Sequence, residues 1–151
     1  MSTATTIDTV GVFYEAIALD TLAPSKTNPR KHFDEAELQE LANSIKDKGV
    51  IQPIVIRPKT GGKPQWEIVA GERRWRASKL AGATSIPAIA RNLDDKAVLE
   101  IQVIENLQRS DIHPLEEANG YRELLDKHGY TIETIAAKVG KSESYIYQRL
   151  K

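Results

Sequence analysis

The segment Gly71-Glu72-Arg73-Arg74-Trp75-Arg76-Ala77-Ser78-Lys79 gathers three arginines and a lysine directly after a strand-like run, Trp66 to Ala70. A glycine at a strand-to-helix corner lets backbone come close to a ligand, and the N–H groups that open a helix attract anions. On a helical wheel Ala77, Leu80 and Ala81 share one face, which is therefore expected to be buried. Arg73 projects from that face one turn earlier, with Arg74 and Arg76 on its flanks. An arginine aimed inward needs an anionic partner, because its charge cannot be buried unpaired. Two chemistries meet that need: an ion pair with an acidic residue of the fold, or a bound phosphate.

A second polar constellation lies further on. The helix expected from Asp94 or Asp95 to about Arg109 is apolar almost all round, through Val98, Leu99, Ile101, Val103, Ile104 and Leu107. Its exceptions, Gln102, Glu105, Asn106 and Arg109, fall on one stripe at i, i+3, i+4 and i+7. Either this stripe is the solvent face, or it faces a polar ligand. Glu105 and Asn106 offer oxygen ligands suited to Mg²⁺, which usually completes its shell with substrate phosphates, and Arg109 suits phosphate itself. On the ligand reading the two polar patches are two walls of one pocket.

The end of the chain offers a third chemistry. Thr131 is expected to cap a short helix, Ile132 to Val139, and Ser142 to cap another from Glu143 onward, with Gly140-Lys141 turning the chain between them. Ala136, Gly140 and Ile146 stand where a helix-turn-helix needs a small contact residue, a turn glycine and an inward apolar residue. Any tight helical hairpin satisfies the same spacing. Read as a DNA reader, the second helix presents Ser144, Tyr145, Gln148 and Arg149 to bases or phosphates, while Lys141 and Ser142 hold the backbone. The chain stops at Lys151 inside that helix, so a truncated DNA-binding domain is expected. Gly140-Lys141-Ser142 also looks like the end of a P-loop, but Ile135 stands where that motif needs a glycine.

The elements that must position these groups can be read in order. Residues 1–11 form a loose, threonine-rich tail. Phe13 to Leu19 reads as a strand with Phe13, Glu15, Ile17 and Leu19 on one face. A loop from Pro24 to Phe33 follows, held extended by two prolines and basic at Arg30-Lys31. Asp34 caps a helix with an apolar stripe at Leu38, Leu41 and Ile45, ended by Gly49. Val50 to Arg57 is β-rich, with Pro53 marking an edge strand or a strand that begins there. Gly61-Gly62 turns into the strand Gln65 to Ala70, giving a hairpin. The basic helix ends near Gly82, and Ile86 to Ala90 is another strand. Pro114 opens a further helix with a stripe at Leu115, Ala118, Tyr121 or Arg122, and Leu125, ended by Gly129. His32, His113 and His128 lack metal-ligand spacing and are expected as satisfied surface or capping residues. The fold class is therefore α/β, a small mixed sheet with packed helices followed by an all-helical portion. The expected division is a tail to residue 11, an α/β domain over 12–110 and a helical portion over 111–151.

Bulk composition narrows the classes. Lys plus Arg and Asp plus Glu number 21 each in 151 residues, so any nucleic-acid claim rests on local charge. The absence of cysteine excludes disulfides, thiolate metal sites and cysteine nucleophiles. No apolar run spans a bilayer and no signal pattern opens the chain, so a cytoplasmic protein without membrane attachment is expected.

Asn28-Pro29-Arg30-Lys31 with Phe33, Gly49-Val50-Ile51-Gln52-Pro53-Ile54, Gly71-Glu72-Arg73-Arg74-Trp75-Arg76-Ala77, Glu105-Asn106-Leu107-Gln108-Arg109 and Pro114-Leu115-Glu116-Glu117-Ala118 stand in this order. Together with the helix-turn-helix pattern, and over about Ile17 to Lys151, they resemble the ParB family of chromosome and plasmid partition proteins. The resemblance implies a CTP-dependent DNA clamp that binds a centromere-like duplex, spreads along DNA and hydrolyses CTP slowly with Mg²⁺. It implies that the domain over 12–110 is nucleotide-binding, that Gly71, Glu72, Arg73, Arg74 and Arg76 form a first phosphate motif, and that Glu105, Asn106 and Arg109 form a second. Glu105 and Asn106 become the metal ligands, Glu105 and Arg74 the catalytic residues. Asn28, Arg30 and Gln52-Pro53-Ile54 shape the nucleotide pocket. Implied partners are double-stranded DNA, a second copy in the full-length form and a partition ATPase, with nucleoid association. Two other readings compete. One is a DNA-binding repressor or adaptor without nucleotide chemistry. The other is a small-molecule enzyme, since the N-terminal fold also resembles sulfiredoxin and a free-serine kinase; the missing cysteine and the attached helix-turn-helix oppose it.

Overall fold

The computed structural model describes residues 11–30, 33–50, 52–59 and 65–151. The tail up to residue 10, Lys31 and His32 of the basic loop, Ile51 and the Gly61-Gly62 turn lie outside the described residues. Packing divides the chain into a unit up to Asp94 and a unit from Asp95 to Lys151.

The first unit is built on five strands: β1 (Val12–Ala18), β2 (Leu22–Pro24), β3 (Ile54–Pro58), β4 (Trp66–Ala70) and β5 (Ser85–Ala90). They form one mixed sheet in the order β1-β5-β3-β4-β2. β1 pairs antiparallel with β5 and β3 antiparallel with β4, whereas β3–β5 and β2–β4 are parallel. β3 is thus an interior strand that starts directly after Pro53. The proline sits outside the ladder, where its missing N–H costs nothing. Arg57 and Glu67 are register partners across β3 and β4 and join through Nε and Oε1 at 2.9 Å.

β1 departs from simple alternation. Between Tyr14 and Ile17 it advances three residues while β5 advances two, a bulge that reverses the side-chain phase. Tyr14 and Ile17 therefore both pack on the core, while Phe13 is 59% exposed. Leu19 leaves the strand for a 3-10 turn (Leu19–Thr21).

Helix α1 (Glu35–Lys48) opens as its sequence dictates: the Asp34 side chain accepts from the Glu37 N–H at 3.0 Å, and Gly49 closes it with φ of 77°. Helix α2 (Glu72–Leu80) packs on α1 through the fully buried Ala42 and Ala77. The expected inward face of α2 needs correction. Leu80 is 52% exposed, and the buried residues are Glu72, Trp75, Ala77 and Ser78. Trp75 decides the roll of the helix: its ring joins the sheet core with Ile54, Ile56 and Ile68, and its Nε1 donates to the Leu19 carbonyl at 3.3 Å. An indole removes more apolar area from water than Leu80 does, so the helix turns to favour it.

The second unit holds α3 (Asp95–Leu107), α4 (Pro114–Lys127), α5 (Ile132–Val139) and α6 (Glu143–Leu150). Its core is Leu107, Tyr121, Leu124, Ile135, Val139 and Ile146. α3 approaches α4 at Gly120, where a Cβ would stand 2.9 Å from Leu107 Cδ2. The stripe of α4 follows Ala118, Tyr121 and Leu124, so Tyr121 rather than Arg122 is the inward residue. Leu115 belongs to the outward side at 63% exposure, because the close passage at Gly120 fixes the roll of α4 around Tyr121. His113 caps α4, its Nδ1 accepting from the Leu115 N–H at 3.1 Å. His128 is the C-cap of α4, its N–H donating to the Leu124 carbonyl at 3.3 Å, as a capping histidine is expected to; its side chain is buried at 2% exposure rather than on the surface, and neither ring nitrogen has a hydrogen bond. The carboxylates of Glu100 and Glu123 stand 3.8 and 3.9 Å from it. Among the described residues no helix is long and apolar enough to cross a membrane.

Candidate functional site

In the first unit the candidate residues meet at the corner between β4 and α2. Gly71 has φ of 106°, in the left-handed region, and a Cβ there would lie 2.5 Å from Ile54 Cγ2. Only glycine fits. Gly71 contributes no side-chain cap to α2, so the first-turn N–H groups lack the usual side-chain acceptor. Ile54 is fully buried beneath this corner. It buttresses Gly71 from below, so it can shape a pocket here only through the backbone it supports.

The arginines divide the work differently from the wheel. Arg74 reaches inward across the corner, its Nη1 donating to the carbonyls of Gln52 at 2.9 Å and Pro53 at 2.7 Å. These two residues thus enter through backbone oxygens. Arg76 pairs with Glu72 through Nη2 at 2.7 Å and Nε at 2.9 Å. Arg73 is half-buried and pairs with no acidic group among the described residues. Glu72, 8% exposed, also accepts from Asn28 Nδ2 at 2.8 Å, and Asn28 Oδ1 accepts from the Arg30 N–H at 3.1 Å. A buried carboxylate is tolerable only when paired and hydrogen-bonded, and Glu72 uses that need to tie the Asn28-Pro29-Arg30 loop to α2. Glu72 and Asn28 thereby order the corner. Phe33 was missed as a site residue: the Arg76 and Arg30 guanidiniums stand 4.4 and 5.3 Å from its ring centroid. The Nε of Arg30 is buried there without a hydrogen-bond partner. A lone aromatic inside a basic loop was the available signal.

In the second unit, the end of α3 carries the other constellation. Gln102 and Asn106 are 2% and 8% exposed, so their stripe is not a solvent face. Asn106 Oδ1 accepts from Arg109 Nη1 at 2.6 Å, and its Nδ2 donates to Glu116 Oε2 at 2.9 Å. Arg109 also pairs with Asp111 at 3.2 Å. Glu116 and Asp111 escaped the sequence reading because acidic residues near a helix start are ordinarily explained by the helix dipole. Among the described residues no three His, Asp or Glu side chains are grouped to hold a metal. Glu105 with Asn106 fits only a cation that brings phosphate oxygens with it, the usual habit of Mg²⁺. Asn106 Oδ1 spends one of its two lone pairs on Arg109, which leaves one for a cation.

The helical end has the geometry of a helix-turn-helix. Thr131 and Thr134 make a reciprocal capping box on α5, and Gly140 turns the chain with φ of 75°. The Ser142 side chain accepts from the Tyr145 N–H at 3.1 Å to cap α6. Ala136 is half-buried and Ile146 fully buried, as the motif requires. Lys141, Ser142, Ser144, Gln148 and Arg149 are exposed, and Tyr145 is half-buried between Lys141 Nζ at 5.1 Å and the Arg149 guanidinium at 4.6 Å. Tyr147, 56% exposed on α6, was not expected.

Comparison with known proteins converges. The family model for the ParB N-terminal domain matches residues 1–107, and that for the ParB HTH domain matches residues 110–151. The chromosome-partitioning protein ParB of Caulobacter vibrioides is 46% identical over 133 residues, covering 88% of this chain and 44% of that protein. A probable chromosome-partitioning protein ParB of Xylella fastidiosa is 49% identical over 130 residues, covering 86% and 41%. The chain spans about half the length of the curated relatives it matches. A crystal structure of C-terminally truncated Caulobacter crescentus ParB bound to the centromeric parS site superposes with a TM-score of 0.82 at 42% identity, covering 91% of this chain and 70% of that one. The same protein complexed with CTP-γ-S gives a TM-score of 0.61 at 44% identity, covering 93% and 77%. Two family models running in order along the sequence, and relatives of this identity over most of it, establish that the chain belongs to the ParB family of chromosome-partitioning proteins.

Proposed function

We propose that this chain is the nucleotide-binding and DNA-reading part of a CTP-switched clamp that loads at a parS-like duplex and spreads from it. The observation that carries the nucleotide half is the Gly71 corner. It is closed to a side chain at Gly71, has the Arg74 guanidinium beside it, opens the helix that carries Arg73 and Arg76, and is present in a chain 44% identical to a protein crystallised with CTP-γ-S. In this reading Arg73 and the first-turn amides of α2 take phosphate oxygens. Arg74, held on the Gln52 and Pro53 carbonyls, positions the corner against the nucleotide, and Asn28 and Arg30 order the loop beside it. Glu105, Asn106 and Arg109, at the end of α3, form a second candidate phosphate and metal motif, with Glu105 orienting the attacking water. Mg²⁺, when bound, neutralises phosphate charge. DNA is read by α6 through its exposed Ser144, Tyr147 and Gln148, with Lys141 and Ser142 on the backbone. A second copy in the longer protein and a partition ATPase are the proposed protein partners, and the nucleoid the proposed location.

A reading without nucleotide chemistry has its own support, because Arg76 and Arg109 already have acidic partners, Glu72 and Asp111. Calorimetric titration with CTP, ATP, GTP and UTP in Mg²⁺ separates the two. Selective binding of CTP supports the switch; no heat from any nucleotide leaves a plain DNA-binding adaptor.

A further inference from the structure

Arg149 was expected to touch DNA, yet its surroundings give it a different task. Glu117 on α4 is 3% exposed and faces α6. One carboxylate oxygen, Oε2, accepts from the hydroxyl of the fully buried Tyr121 at 2.7 Å, and the other, Oε1, stands 3.2 Å from Arg149 Nε. Burial and the Glu117 carboxylate both push the Tyr121 phenol up from its ordinary value, so it stays a donor. Arg149 is the cation that balances this buried charge, and its guanidinium lies over the Tyr145 ring. Arg122 adds a neighbouring tie, donating from Nη2 to the Leu150 carbonyl at 3.2 Å. On α6 the turn places Ser144, Tyr147 and Gln148 on the opposite, exposed side. The sequence predicts none of this, since Glu117 and Arg149 are far apart along the chain.

We propose that Arg149 is a positioning residue for DNA recognition: paired with buried Glu117 and stacked on Tyr145, it sets the roll of α6 and so aims Ser144, Tyr147 and Gln148. This deepens, and rests on, the proposal that α6 reads DNA. An ion pair whose partner is removed leaves an uncompensated buried charge, so the two residues act as one unit.

The test compares Glu117→Gln, Arg149→Met and the double variant for binding to the parS duplex and to a scrambled duplex over a salt series. Each single change is expected to cut the preference for parS about tenfold, and the double change no more than either single. The slope of log affinity against log salt should stay that of the parent. A direct phosphate contact predicts the reverse: Arg149→Met shallower by about 0.9 in slope on both duplexes, and Glu117→Gln as tight as the parent. That outcome overturns the proposal. Amide hydrogen exchange of α6 provides a readout independent of DNA. Faster exchange in both single variants is expected, and unchanged exchange overturns the positioning role. A parent chain that does not prefer parS would refute the DNA reading, while the exchange result would still decide what Arg149 does. Because the Arg149 side chain is 42% exposed, Arg149→Met keeps the test open if Glu117→Gln does not fold.

Discussion

Replacing Gly71 with alanine tests whether the corner is as closed as its geometry says. The residue has φ of 106°, a region in which an L side chain costs about 1–2 kcal/mol. A Cβ there would meet Ile54 Cγ2 at 2.5 Å and Ile54 Cβ at 2.9 Å. Ile54 cannot retreat, because it is fully buried in an interior strand. Overpacking of that kind costs a further ~1–3 kcal/mol, for a total of about 2–5 kcal/mol. Against a typical stability of about 5–15 kcal/mol this is severe, and the melting temperature should fall by about 4–20 °C. Gly82→Ala is the control: its φ of 79° carries the same kind of backbone penalty, but no heavy atom lies within 4 Å of its added Cβ. The measurement is thermal unfolding of both variants by circular dichroism, followed by calorimetric titration with CTP. Since Arg74 Cζ is the next neighbour at 3.3 Å, nucleotide affinity should fall with stability in Gly71→Ala and hold in Gly82→Ala. Equal melting temperatures for the two variants would refute the steric argument.

Arg74→Ala should remove CTP binding, and because its hydrogen bonds to the Gln52 and Pro53 carbonyls go with it, the fold should be destabilised by about 1–3 kcal/mol; calorimetry showing parental CTP affinity would take Arg74 out of the pocket. Glu105→Ala is expected to leave CTP binding within about threefold, under 1 kcal/mol, while slowing phosphate release in the presence of parS. Parental release rates would count against its role. The Tyr130 phenol is pushed up to about 12 by burial and by its hydrogen bond to Glu100 at 2.6 Å. Its folded value lies above its unfolded one, so its contribution is fully present below about pH 10 and is lost as pH rises through about 12. Tyr130→Phe should therefore lower stability at neutral pH and flatten the alkaline decline relative to the parent. Parallel melting curves between pH 9 and 12 would remove this linkage.

What the chain determines by itself is whatever its neighbours along the sequence enforce. Asp34, Thr131, Ser142 and Gly140 begin or end their helices through groups within three or four residues, so their chemistry is legible in order. The strand-to-helix corner at Gly71 and the polar stripe on α3 are equally local, which is why they stand out as candidate phosphate and metal residues before any fold is known. The tertiary structure alone decides which of these groups faces which. It rolls α2 onto Trp75, so that Arg74 rather than Arg73 reaches inward, and it shifts the phase of β1 by one inserted residue. It pairs Glu72 with Asn28 and Glu117 with Arg149, each with a residue far along the chain. Periodicity ranks residues by hydrophobicity on an isolated element. The roll of that element is set by the largest side chain its neighbours can bury, and by the buried charges they can satisfy.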